Sequence, residues 1–384
     1  MENQLKTRRY ELDWLRVLAF SLLIFYHTGM FFVSWEWHVK NNVLSETLEL
    51  PMLFLSQWRM SLIFLISGAG VYLAMGYRGA GAFAMDRVKR ILVPLLVGIL
   101  VVVPPQVYFE RLTQGHTYSY ASFWPTIFEF IPYPEGNFSW HHLWYLAYIF
   151  TYSLLLLPLL RFLRSKRTDF THGKGWFLLL VPLLLSVGEM LLREKFDATN
   201  ALVDDWANHF LYGSLFLLGF GIISSPTLQD KIRQARWYSL GGSLLLVTVL
   251  YTRYWLPDPD LEGMELNLYW VLKSFNRWGW IMTILGFAMQ HLNVRHRYLP
   301  LANQMVYPFY ILHQTVIVVL GYYMREWPWP VAAKFALLVT ATFLICFVLT
   351  RFVIMKVIWL RVPFGLKPEK KKPAAIEPAP VQAV

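Results

Sequence analysis

Ten times along its 384 residues this chain presents an apolar run of about 17–25 residues, the length an α-helix needs to cross the hydrocarbon core of a bilayer. The runs lie near 13–33, 54–76, 90–108, 142–160, 176–192, 207–224, 237–255, 268–289, 299–323 and 331–355. Inside hydrocarbon every backbone N–H and C=O must find its partner within the segment, so such runs are expected to be helices. With 56% hydrophobic and 15% charged residues, the chain has too little charge to cover a soluble surface of its size. Its 17 Trp, 21 Tyr and 28 Phe suit aromatic belts at two interfaces. The fold class read from these runs is an all-α integral membrane protein, with about ten transmembrane helices around a polar cavity.

Charge gives the direction. If the N-terminus is cytoplasmic, the inner segments hold 24 of the 35 Lys and Arg and the outer segments hold 6. That bias places both termini in the cytoplasm and assigns the net charge of +11 to membrane orientation and the lipid bilayer, with no nucleic-acid partner. Residues 1–12 read as a cytoplasmic N-terminus, 13–360 as the transmembrane domain, and 361–384 as a disordered Pro-, Ala- and Lys-rich cytoplasmic tail. SWEWHVK after the first run has no small-residue cleavage pattern, so that run is expected to remain as a span. The single cysteine, Cys346, lies in an apolar run, which excludes disulfides and Cys-based metal sites; no metal site is expected. Without a P-loop or G-x-G-x-x-G, an ATP-driven pump is not expected either.

The five remaining basic residues, Arg16, Arg59, Lys273, Arg277 and Lys334, lie inside the runs, where charge is costly and usually functional. Arg16 and His27 are eleven residues apart, which leaves about 20° of rotation on a helix, so they share a face about 16 Å apart along the axis. His27 and His313 are each fourteen residues from the inner start of their runs, at one depth in the outer half. Arg59 and Arg277 approach that level, and His141 and His142 stand at the outer mouth of the fourth run. A single membrane histidine is more often a satisfied interhelical hydrogen bond, but convergence at one depth suits a buried polar cavity. Tyr307, Tyr310 and His313 form one stripe, equally suited to packing or to a pocket wall. No acidic residue is evident in an outer half-span, so His27 is expected to lack a carboxylate partner. On the inner side, Arg87 and Arg90 flank Lys89; they serve either as topology anchors or, with Arg16, as a site for an anionic phosphorylated donor. Ser67, Gly68 and Gly70 in SLIFLISGAGVYLAMG permit close approach of a helix or a ligand chain.

These residues carry a resemblance. Arg-x10-His in the first run after ELDWLR, then FLISG, RVKRILVPLL, HLWYL and YPFYILHQ, resembles in content and order the acyltransferase 3 family of integral membrane acyltransferases, in particular its glucan-modifying branch. The resemblance implies transfer of an acyl group, acetyl or succinyl, from cytoplasmic acyl-CoA to a hydroxyl of an extracytoplasmic glycan, in a bacterial inner membrane. It implies a donor site at Arg16, Arg87 and Arg90, and catalysis at His27 and His313, with His27 either a general base or a transient acyl carrier. It further implies acceptor or oxyanion roles for Arg59, Trp144, Arg277, Tyr310 and His142. Acyl-CoA would be a substrate, and no cofactor would be bound permanently. The rival reading is a polytopic transporter of an anionic solute using the same buried cations.

Overall fold

A computed structural model describes residues 8–76, 78–165 and 175–368. A helix stands at every one of the ten runs: α1 (Tyr10–Met30), α2 (Glu46–Met75), α3 (Ala80–Thr113), α4 (Trp144–Leu155) continued by α5 (Leu157–Ser165), α6 (Phe177–Leu192), α7 (Trp206–Ser224), α8 (Pro226–Leu250), α9 (Gly263–His291), α10 (Leu299–Met324) and α11 (Val331–Ile354). No strand occurs among the described residues beyond an isolated bridge between Pro132 and Phe138. Five helices, α2, α3, α7, α10 and α11, are long and apolar enough to cross a membrane, and a sixth span results if α4 and α5, bent by 56°, are taken together. α6, at 16 residues, is shorter; α1, α8 and α9 have the length but too much charge or polarity for the same criterion. The chain is a multi-pass helical membrane protein.

Several helices begin well before their apolar runs. α2 starts at Glu46 because the Ser45 hydroxyl accepts from the Leu48 N–H, and α8 starts at Pro226 because the Ser225 hydroxyl accepts from the Leu228 N–H. Hydropathy registers only the buried part of such a helix, whereas the cap decides where it starts. Within α3 the helix widens to π geometry at Val88–Leu92 and Gly98–Val102, just ahead of Pro94 and Pro104. Each proline lacks an N–H and crowds the carbonyl four residues back, and the wider turn absorbs the misfit. One carbonyl so released, that of Leu100, accepts from the Trp124 indole at 3.0 Å.

α2 lies along α7, α8 along α9, and α1 packs on α10 and α2. The α2–α7 contact needs glycine: a Cβ on Gly68 would fall on the Phe216 carbonyl, and one on Gly219 on the Leu65 carbonyl. Gly68 thus serves helix approach, while Gly70 faces the Arg16 guanidinium. After α11 the chain turns through Ile358–Arg361, and Arg361, Gly365, Leu366 and Lys367 return to a cavity wall rather than beginning a free tail at 361. The rest of the expected tail, residues 369–384, lies outside the described residues, as do 1–7 of the expected N-terminal segment.

Candidate active site

α1 and α10 meet at two levels, and each level holds a different chemistry. At one, His27 Nδ1 and His313 Nε2 are 2.8 Å apart, with the two rings parallel to within 6°. The tautomers follow from the surroundings. His313 Nδ1 sits 2.7 Å from the Tyr310 carbonyl and 3.2 Å from that of Phe309, so it carries the proton and donates. His313 Nε2 is then an acceptor, and His27 Nδ1–H donates to it. His27 Nε2 is left with its lone pair and no hydrogen-bonding partner among the described residues.

The pair is held from behind by a polar network. His142 donates from Nε2 to the Ile311 carbonyl at 3.0 Å and accepts at Nδ1 from Gln106 at 3.4 Å, and the Tyr310 hydroxyl donates to the His142 carbonyl at 2.5 Å. Gln314 donates to Gln106 Oε1 at 3.0 Å and to His38 Nε2 at 3.1 Å. His38 Nδ1 therefore carries a proton, which it donates to Glu110 Oε2 at 2.7 Å. The other oxygen of Glu110 accepts from the Tyr133 hydroxyl at 2.6 Å; burial, then the Glu110 carboxylate, push the Tyr133 hydroxyl up from its ordinary pKa, so it stays a donor. Ligand atoms of His38, Glu110 and His141 lie within 4.8 Å of one another. The two imidazoles are stacked at 4.1 Å, however, which sets their lone pairs side by side rather than converging on an ion. The loop after α1 is tied down by Lys40, whose ammonium reaches the carbonyls of Met30, at 2.7 Å, Trp35, at 2.8 Å, and Val33.

Arg59 of α2 is 7% exposed and stacks on the ring of Tyr26, the residue before His27, at 3.2 Å. Its Nε and Nη1 are buried without a hydrogen-bond partner among the described residues, and it is near enough to His27 and His313 to act on both electrostatically. Arg277 differs. Its Nη1 donates to Glu189 Oε1 at 2.8 Å and its Nε to the Gln57 carbonyl at 3.1 Å, and Arg193 takes the other oxygen of Glu189 at 2.9 Å. This buried cluster ties α2, α6 and α9 together. Glu189 is 3% exposed and lies within the 176–192 run, so the expectation of no acidic residue in an outer half-span is corrected; its partner is Arg277, not His27. Trp144 packs among Phe64, Tyr148 and Tyr212, and the Tyr310 hydroxyl is already engaged.

At the second level a cavity of about 690 Å³ opens, with Arg8, Arg16, Arg87, Arg90, Arg361 and Lys367 on its wall and no Asp or Glu among the residues that line it. Asp13, close behind, pairs with Arg8 at 2.8 Å and Arg16 at 3.6 Å, and Asp86 pairs with Arg87 at 2.7 Å and Arg90 at 2.9 Å. Six cations with two carboxylates leave a net positive chamber. Among the described residues, the Tyr307 hydroxyl and Arg87 Nε are buried here without partners. Sequence reasoning grouped Arg16 with Arg87 and Arg90, and one wall holds all three. It missed Arg8, Arg361 and Lys367, which lie near the chain ends, and Gln106, Gln314, His38 and Glu110. Of these, Gln106 and Gln314 carried a signal: each is an amide within or beside an apolar run.

A multi-pass helical bundle with a paired-imidazole centre and a separate cationic chamber has the build of a membrane enzyme. A profile described as an acyltransferase domain matches residues 9–351, and the chain belongs to the acyltransferase 3 family and is an acyltransferase. It is 24% identical to glucans biosynthesis protein C of Shigella dysenteriae serotype 1 and of Escherichia coli K12, over 83% of this chain and 84% of each relative. No solved structure matches.

Proposed function

We propose that this protein is an O-acyltransferase of a bacterial inner membrane, with ten spans and both termini cytoplasmic, that moves a short acyl group, acetyl or succinyl, from acyl-CoA to a hydroxyl of an extracytoplasmic glucan. The orientation rests on the excess of Lys and Arg in the inner segments, and the acceptor class on the name of the curated relatives. The observation that carries the reading is the unpartnered His27 Nε2, backed by an imidazole that accepts from Nδ1.

His27 Nε2 takes the proton of the acceptor hydroxyl as its oxygen attacks the thioester carbonyl. The resulting oxyanion meets the unpartnered N–H groups of Arg59, which become satisfied only when that charge develops. On collapse the C–S bond breaks, the thiolate takes the proton from the His27 imidazolium, and CoA leaves as the free thiol. Throughout, His313 Nε2 accepts from His27 Nδ1–H and stabilises the imidazolium. The phosphates of CoA suit the cationic chamber, where paired arginines and the Tyr307 hydroxyl offer donors in excess of acceptors. No permanently bound cofactor enters any step.

The test uses the purified protein in lipid discs with acyl-labelled CoA thioesters and extracted glucan. Label moves to glucan with wild type and drops at least a hundredfold in His27→Ala; undiminished transfer in that variant overturns the assignment. Arg87→Ala and Arg90→Ala weaken CoA binding about tenfold each, the worth of roughly one charge-assisted contact; unchanged affinity in both reduces them to topology anchors.

A further inference from the structure

The cationic cavity ends against Phe20, and beyond Phe20 lies a second cavity that nothing in the reaction yet uses. The Phe20 ring meets Tyr145 edge-on at 6.0 Å and Tyr310 at 5.3 Å, and Tyr145 and Tyr310 are 5.7 Å apart, so the three rings pack against one another as a plug. Two of them are pinned: the Tyr145 hydroxyl is 2.5 Å from Ser67 Oγ, and the Tyr310 hydroxyl is bonded to the His142 carbonyl. Phe20 is held by packing alone. On its other side is a space of about 330 Å³ between α1, α10 and α11, walled by Val17, Ala302, Met305, Phe309 and Phe347 among others. Its lining is almost wholly hydrocarbon. Phe20 and Val306 are the residues that line both cavities.

His27 is seven residues beyond Phe20 on α1, about 10 Å along the axis, so Phe20 stands between the wall of the cationic cavity and Nε2. We propose that Phe20 sets the size of the acyl group. Its ring shuts the apolar side cavity, which restricts the donor to short acyl chains; without the ring, that cavity becomes a binding site for the chain of a medium-chain acyl-CoA. The proposal rests on the acyl-CoA reading above, and the two fail in different ways.

The experiment compares acetyl-, succinyl-, hexanoyl- and octanoyl-CoA as donors to glucan, with wild type, Phe20→Leu, Phe20→Ala and Phe20→Ala combined with Ala302→Phe, each confirmed as a folded species by size exclusion. Wild type uses the short thioesters. In Phe20→Ala the octanoyl-to-acetyl ratio of kcat/KM rises by roughly tenfold for every two methylene groups the side cavity takes up, with Phe20→Leu in between. Ala302→Phe, which refills the side cavity, reverses the gain. An unchanged ratio in Phe20→Ala and Phe20→Leu with acetyl transfer intact, or a gain that survives Ala302→Phe, overturns the proposal. If Phe20→Ala does not fold, the ratio in Phe20→Leu decides. Absence of transfer from every thioester in wild type instead refutes the donor reading.

Discussion

Replacing His313 by leucine separates the role of orienting the base from that of being the base. In the native site His27 Nδ1–H donates to His313 Nε2 at 2.8 Å, and that bond strengthens when His27 becomes an imidazolium in the transition state. A hydrogen bond to a charged group is worth about 1.5–3 kcal/mol, and each 1.36 kcal/mol is tenfold in rate, so His313→Leu lowers kcat about 10- to 150-fold. His27→Ala, which removes the proton acceptor itself, costs about 10²–10⁴. His313→Gln presents an amide oxygen at the same position and recovers part of the loss. The assay is the initial rate of label transfer from acyl-CoA to glucan at saturating donor, normalised to monodisperse protein, with KM for the donor recorded alongside. Because His313 acts through His27, the double variant His27→Ala/His313→Leu is no slower than His27→Ala alone. Two results refute the reasoning. A loss in His313→Leu as large as that of His27→Ala, with no rescue by glutamine, makes His313 the base. Fully additive losses in the double variant make the two histidines independent.

Arg59→Met lowers kcat about 10²–10³-fold and leaves CoA affinity unchanged, since its unpartnered N–H groups serve the developing oxyanion; steady-state kinetics with a CoA-binding isotherm checks the split, and a rise in donor KM alone refutes it. Glu189→Gln strands the buried Arg277 guanidinium and destabilises the fold by about 3–5 kcal/mol, whereas Glu189→Leu/Arg277→Leu regains most of it; thermal unfolding in detergent reads both, and equal midpoints for single and double variants count against the pair. Burial lowers the Lys40 ammonium from 10.5 to about 8, so between those pH values the folded chain binds fewer protons than the unfolded one, and stability gains with rising pH. The thermal midpoint of wild type relative to Lys40→Met therefore climbs from pH 8 to 10 and is constant below about pH 7; a flat difference throughout refutes it.

What the sequence made legible was whatever depends on neighbours along the chain. Each apolar run marks a helix because burial of one continuous segment is a local property, and helical rotation alone puts Arg16 and His27 on one face. Their common partner was not legible. α1 meets α10 at both levels, Arg16 at Asn303 (3.3 Å) and His27 at His313 (2.8 Å), and only tertiary packing decides that one helix receives both. The same limit explains Arg59 and Arg277. Both read as costly cations at similar depth, yet Arg277 finds Glu189 while Arg59 lies on the ring of Tyr26 with two donors unpartnered among the described residues. Which buried cation keeps free donors is a question of what lies opposite, and the orphaned one is the one that a reacting anion can satisfy. The α1–α10 seam then accounts for the division of labour. Its lower contact sits in a field of six basic residues and its upper contact in a network of imidazoles and amides; the packed rings at Phe20 lie between them on α1. In the proposed reaction, a donor held by charge at the lower level reaches His27 past the Phe20 ring; the arginines of the chamber lie two to three turns below the base, and Arg59 is the guanidinium placed to act on it.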